Sequence, residues 1–129
     1  MEMTAKIRYL RMSPRKIRAI SDLIRGMDAD NAKKQLQFLS KRGAPSVAKL
    51  LDSAISNAKN NFSKSEGNLY IKKISVDNGP AHKRFRPTGR GHAAPIKRRT
   101  SHVTIVLDER SSEIKQEKTE NKKEKKVSA

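Results

Sequence analysis

The sequence contains no cysteine and no tryptophan, and its aromatic residues amount to only 4%. Without cysteine there is no disulfide, no thiolate zinc site and no Cys nucleophile, and such usage fits a reducing cytoplasm. The only aromatics are Tyr9, Phe38, Phe62, Tyr70 and Phe85. Proteins that read single-stranded RNA stack bases on aromatic rings, so contact with phosphates and RNA shape is the better expectation here. No apolar run approaches the ~20 residues of a transmembrane helix. The opening residues, MEMTAKIRYLRM, lack the apolar region of a signal peptide. Phosphate-loop, dinucleotide, zinc-protease and nucleophile-elbow signatures are missing as well.

Acid is scarce where base is plentiful. Thirty Lys and Arg stand against 13 Asp and Glu, a net charge of +17. A compact domain with that balance repels itself and is stabilised by a negatively charged partner. The length, 129 residues, suits one domain, and the hydrophobic fraction, 34%, limits it to a small core.

The imbalance is sharpest over 78–107, NGPAHKRFRPTGRGHAAPIKRRTSHVTIVL, which holds seven Lys and Arg and no acid. Pro80, Pro87 and Pro95 exclude helix, because each lacks an N–H and collides with the preceding turn. Gly79, Gly89 and Gly91 supply turn conformations. An extended, uncompensated cation of this kind calls for a polyanion, and RNA fits best.

The rest of the chain reads as a scaffold for that segment. Alternation in Lys6-Ile7-Arg8-Tyr9-Leu10 predicts a strand with Ile7 and Tyr9 inward. Ser13-Pro14 predicts a helix start, with the Ser side chain as cap. Ile17, Ile20, Leu23, Ile24 and Met27 recur at helical spacing, and Gly26 predicts the stop. Arg15, Lys16 and Arg18 fall in the first turn, where cations oppose the helix dipole. That placement points to phosphate as readily as to a solvated face.

Asp28 or Asp30 can cap a second helix with Ala32, Leu36 and Leu39 on one stripe, closed by Lys41-Arg42-Gly43. Pro45 opens a third. Its stripe, Val47, Leu50, Leu51, Ala54, Ile55, Ala58 and Phe62, predicts the main core helix. A polar turn over 63–68 follows. The strand pattern over 69–76 slips at Lys72-Lys73, which predicts a bulge or burial on both faces. Val103, Ile105 and Leu107 then alternate with His102 and Thr104. These two strands flank the basic segment, so it becomes the outer part of a β-hairpin. Sides of ~9 residues at ~3.3 Å each reach ~30 Å.

The expected fold class is therefore α+β: three helices packed on a small three-stranded antiparallel sheet, with a long protruding β-hairpin arm. The domain spans 1–110, with the arm at about 79–99. Residues 111–129 are a charged, low-complexity tail expected to be disordered. Six Lys against four Glu give the tail only +2, so +15 belongs to the domain.

His82, His92 and His102 recur every ten residues without carboxylates beside them, which disfavours a metal site or an RNA-processing enzyme. A His flanked by Thr on a strand is a structural hydrogen-bonder or a phosphate contact. No cofactor is called for. Arg offers phosphate a planar fork of donors and Lys a point charge. Such contacts fix position rather than read sequence. A free RNA chaperone would use the same charges.

Several stretches, in order, carry a resemblance. They are Arg11-Met-Ser-Pro-Arg-Lys, Asp22-Leu-Ile-Arg-Gly26 and Leu51-Asp-Ser-Ala-Ile-Ser-Asn-Ala58. Asp77-Asn-Gly-Pro80, Lys83-Arg-Phe-Arg-Pro87 and Lys97-Arg-Arg-Thr-Ser-His-Val-Thr-Ile-Val106 follow. Together they resemble the bacterial large-subunit ribosomal protein 22 family, over Ala5 to about Arg110. The resemblance implies a structural, non-catalytic protein of the cytoplasmic ribosome, placed near the peptide exit of the large subunit. It implies a hairpin that reaches through 23S rRNA to line the nascent-peptide tunnel, and a part in subunit assembly. The implied partners are 23S rRNA, neighbouring large-subunit proteins near the exit and the nascent polypeptide.

The expected rRNA contacts on the globular part are Arg15, Lys16 and Arg18, from their place in the first helical turn, together with Arg8, Arg11 and His102; those that follow are what the resemblance implies. On the arm they are Lys83, Arg84, Arg86, Lys97, Arg98 and Arg99. Thr88, Gly89, Arg90, Gly91 and His92 form the tunnel tip. The tip departs from the family pattern Pro-Arg-Ala-x-Gly-Arg-Ala. It reads Pro87-Thr-Gly-Arg-Gly-His-Ala93, with Thr88 and His92 in place of two arginines.

Overall fold

The computed structural model of the protein describes residues 2–110. The tail expected to be disordered lies outside the described residues. Strand β1 (Met3–Leu10) leads into helices α1 (Pro14–Ile24), α2 (Ala29–Phe38) and α3 (Ala44–Phe62). A 3-10 turn, Glu66–Asn68, precedes β2 (Leu69–Asn78). Then come β3 (His82–Gly89), β4 (His92–Arg98) and β5 (Ser101–Glu109). One antiparallel sheet has the order β1-β5-β2, and β3 and β4 form a separate two-stranded sheet. This is the α+β architecture with a projecting hairpin.

β5 is central because it alternates most cleanly. Val103, Ile105 and Leu107 are fully buried beneath the helices. α1 lies over β2, α3 over β1 and β5, and α2 against α3. From α1 the core takes Ile17, Ile20 and Ile24; from α3 it takes Val47, Leu50, Leu51, Ala54, Ile55 and Ala58. Each fully buried Ile or Leu stabilises the fold by about 1.5–3 kcal/mol. Arg110 closes the domain. It pairs with Asp28 at 2.8 Å, its N–H donates to the Asn68 carbonyl at 2.8 Å, and its guanidinium covers the Tyr70 ring at 5.3 Å.

The bulge expected in β2 is present. Ile71 pairs with Leu107 and Lys73 with Val106, leaving Lys72 extra. Lys72 reaches Asp108 at 2.9 Å. The hydrogen bond from Lys72 holds the Asp108 carboxyl below its ordinary value, and the same bond raises Lys72.

Four local expectations are corrected. Tyr9 is not inward: it is 63% exposed. β1 bulges after Ile7, and Tyr9 adopts a left-handed φ of 55° that turns its side chain out of the alternation. Leu23 is 49% exposed, outside the buried stripe of α1. Ser13 and Asp28 occupy the N-cap positions of α1 and α2, but neither side chain makes the cap bond. Lastly, α2 ends at Phe38 rather than at 41–43, and Gly43 is instead the N-cap of α3. A Cβ on Gly43 would stand 2.7 Å from Ile17 Cδ1 and 2.8 Å from Ile20 Cδ1. A side chain at Gly43 would have to displace the tips of these two buried Ile side chains of α1.

Candidate nucleic-acid interface

The arm springs from the paired ends of β2 and β5. At its root the Gly79 N–H donates to the Thr100 carbonyl at 2.9 Å. The Thr100 hydroxyl donates to the Pro80 carbonyl at 2.6 Å. Thr100 is 1% exposed. A Cβ on Gly79 would lie 2.3 Å from Thr100 Oγ1, so the root closes only over glycine. Beyond it, the ladder breaks at Pro80-Ala81 and Arg99-Thr100 and resumes as β3 and β4.

Register divides the arm into two faces. Residues directly opposite in an antiparallel pair share a face, and alternate pairs share it too. One face carries His82 opposite Arg98, Arg84 opposite Ile96, and Arg86 opposite Ala94. The other carries Lys83 opposite Lys97, Phe85 opposite Pro95, and Pro87 opposite Ala93. Proline has no N–H, so Pro87 and Pro95 fit only pairs that exchange no ladder hydrogen bonds. The prolines thus assign the lysine face to the close, non-bonded pairs and the arginine face to the bonded ones. Ala94 and Ile96 are the half-buried residues of β4. The arginine stems across from them account for that cover.

The tip is a tight turn. Gly89, Arg90 and Gly91 all have positive φ, at 91°, 50° and 74°. The ladder shifts between Pro87 and Gly89, and the Thr88 hydroxyl donates to the His92 carbonyl at 3.1 Å. Thr88 therefore braces the turn where the family pattern has arginine, and Arg90 stands at its apex.

Electrostatically the arm differs from the domain beneath it. Globular cations find acids: Arg25 pairs with Asp22 at 3.2 Å, Lys33 with Asp52 at 2.8 Å, and Lys64 with Glu109. Among the described residues no arm cation makes a salt bridge. Lys83, Arg84, Arg86, Arg90, Lys97, Arg98 and Arg99 are all exposed.

On the globular part Arg8, Arg11, Arg15 and Lys16 are also exposed, and no acid lies in the first turn of α1. Arg18 and His102 do structural duty as well. The Arg18 guanidinium donates to the Val76 carbonyl at 3.2 Å, tying α1 to β2. His102 Nδ1 accepts the Tyr9 N–H at 3.0 Å, and the two rings meet edge-on at 4.9 Å. Accepting at Nδ1 leaves the proton of the neutral ring on Nε2. His82 and His92 stand at opposite ends of the arm, apart from His102 on β5.

Two cations were not expected at this surface. Lys41 and Arg42 are exposed beside Gly43, whose Cβ position is 3.2 Å from Met12 Sδ. Packing of Gly43 against Met12, Ile17 and Ile20 brings the segment that carries them alongside α1 and the residue that follows Arg11. Their signal in the chain is the acid-free stretch 31–51, a shorter counterpart of 78–107.

The family model described as ribosomal protein L22p/L17e matches residues 5–108. A protein of Thermus thermophilus named large ribosomal subunit protein uL22 is 51% identical over 110 residues, covering 85% of this chain and 97% of its own length. One of the same name from Thermotoga sp. (strain RQ2) is 44% identical over 128 residues, 99% of this chain and 80% of its own. Another, from Desulfotalea psychrophila, is 45% identical over 109 residues, 84% of this chain and 99% of its own. The matched span takes in most of β1, the three helices and the whole basic hairpin, and on it the chain belongs to the ribosomal protein L22p/L17e family.

Proposed function

We propose that this ribosomal protein is a structural constituent of the large subunit in the cytoplasmic ribosome and binds 23S rRNA through two surfaces. One is the end of the globular domain formed by Arg8, Arg11, Arg15 and Lys16, joined by Lys41 and Arg42. The other is the arm, which passes through rRNA so that residues 88–92 line the nascent-peptide tunnel. Neighbouring large-subunit proteins and the emerging polypeptide complete its partners, and holding several rRNA segments at once aids assembly. The RNA-binding unit ends at Arg110. Its work is positional, without catalysis of its own.

One observation carries this reading: seven exposed cations on a two-stranded arm that contains no acid and makes no salt bridge among the described residues. Such an arm repels itself when free. Phosphate removes the repulsion and releases counterions. The test is binding of the full chain to a 23S rRNA fragment across a salt series. Each neutralised phosphate adds about −0.7 to −0.9 to the log–log slope, so full engagement of the arm gives about −5 to −6. A flat response overturns the phosphate clamp. Sedimentation of native lysate tests the location: a chain found in free fractions instead of large subunits is an unattached RNA binder.

A further inference from the structure

The lysine face of the arm holds a feature that phosphate contacts leave unexplained. Phe85 is the one phenyl ring on the arm and is 75% exposed. Directly opposite stands Pro95, and next along the same face are Pro87 and Ala93. The result is a flat apolar surface, small side chains around one ring, on a segment otherwise given to charge. On its root side Lys83 and Lys97 face each other in a close pair. Like charges directly opposite are destabilising, and no carboxylate pairs with either among the described residues.

We propose that Phe85 and Pro95 form a stacking site for the base of a single unpaired nucleotide, whose flanking phosphate sits between Lys83 and Lys97. The proposal rests on the RNA-binding reading above and adds to it the kind of RNA element that meets this face. A base presents a flat, apolar π-face that can lie on the Phe85 ring beside Pro95. Its phosphate supplies the negative charge that the opposed lysines lack. The arginine face, with His82, Arg84, Arg86 and Arg98, has one imidazole at its root end and otherwise offers guanidinium forks to the backbone of paired RNA. The two faces therefore take two different RNA elements, an unpaired base on one side and a phosphate ridge on the other. Aromatic scarcity disfavours a surface that stacks many bases; one ring suffices for one.

The experiment uses the full chain, a single-stranded, unpaired oligoadenylate and a fully paired RNA duplex of equal length. The protein has no Trp, so Phe85→Trp places a single fluorescent indole at the site. Quenching of that indole by oligoadenylate, but not by the duplex, is expected. Phe85→Leu keeps an apolar side chain and removes the ring. It should weaken oligoadenylate binding about tenfold, within the range of one base–aromatic stack, and leave duplex affinity and its salt slope unchanged. Phe85→Tyr should restore binding. Equal affinities of wild type and Phe85→Leu for oligoadenylate overturn the stacking site while the duplex salt slope still upholds the phosphate clamp. An equal loss on both RNAs also overturns it, since Phe85 then only shapes the arm. A response of the indole to an apolar peptide and not to RNA gives the patch to the polypeptide instead. Failure of the wild-type chain to bind either RNA sinks the parent reading.

Discussion

The three-stranded sheet and the arm are both antiparallel β-structure in one chain, but different forces select their residues. In the β1-β5-β2 sheet, one face is covered by helices, and Val103, Ile105 and Leu107 alternate with half-exposed His102 and Thr104. Burial selects those residues. In the arm no residue is fully buried, and alternation sorts two kinds of exposed chemistry instead of inside from outside. Its hydrogen-bonded pairs carry arginine; its non-bonded pairs carry lysine, proline and one phenylalanine. An isolated two-stranded ribbon is marginal in water, so within the chain the arm has its root to hold it. Side-chain period 2 sorts inside from outside in one sheet and two kinds of exposed chemistry in the other.

That contrast can be broken or sharpened by substitution. The largest effect on folding should come from the core: Leu51→Ala removes a fully buried side chain of α3. A loss of about 2–5 kcal/mol is expected, read as a fall in Tm of roughly 10–30 °C for a domain of this size. Removing the arm between Ala81 and Arg99, with a short turn in its place, should by contrast leave cooperative unfolding intact. Loss of the transition in that deletion would show that the arm is part of the core.

For RNA binding the order reverses. Replacing Arg84, Arg86 and Arg98 together by Ala should leave Tm nearly unchanged and reduce the salt slope by about 2–3. A slope unchanged by the triple substitution would take the arginine face out of the interface.

Smaller effects are expected at the join. Gly79→Ala drives a methyl into Thr100 Oγ1 and should cost about 1–3 kcal/mol. Thr100→Ala in the same chain should recover part of it, because the hydroxyl is the nearest obstacle. Independent, additive losses in a double-mutant cycle would show that the two residues do not meet at the root.

The smallest effect belongs to the Lys72–Asp108 pair on the domain surface. Asp108 is held below its ordinary value in the folded chain, so its contribution is present above the unfolded carboxylate range and fades as pH falls through the lowered value. Lys72 is raised, so its contribution is present below its unfolded value and fades as pH rises through the raised one. The pair therefore acts across neutral pH. Asp108→Asn should lower Tm slightly there, less so in high salt, as expected of an exposed pair. A loss as large at acid pH as at neutral would exclude this account.

Much of this architecture was legible along the chain. The stripe of α3 is long enough to be unambiguous, and Val47 to Ala58 are buried as their spacing requires. The slip at Lys72-Lys73 marked a bulge that the register contains. Acid-free composition and three prolines marked the arm. Elsewhere a short pattern was overruled by packing. Tyr9 continues the alternation of β1, but the bulge gives two residues of β1 to one of β5, and His102 takes the Tyr9 N–H. Lys41-Arg42-Gly43 looked like a helix end because cations and glycine favour one. The glycine instead serves contact with α1, which is distant in sequence. Arg18 looked like a free cation, and the carbonyl it meets lies 58 residues away.

By itself the sequence determined the fold class, the hairpin, its charge and the family pattern. These rest on periodicity, proline geometry and composition, which are local properties of the chain. Only the tertiary structure decided which way each arm cation points, because facing is set by register and register by pairing between strands. It alone set Gly43, and the Lys41-Arg42 that precedes it, alongside α1, because that depends on packing between segments distant in sequence. It alone set Phe85 against Pro95 beside two opposed lysines, since neither residue carries any local sign of the other.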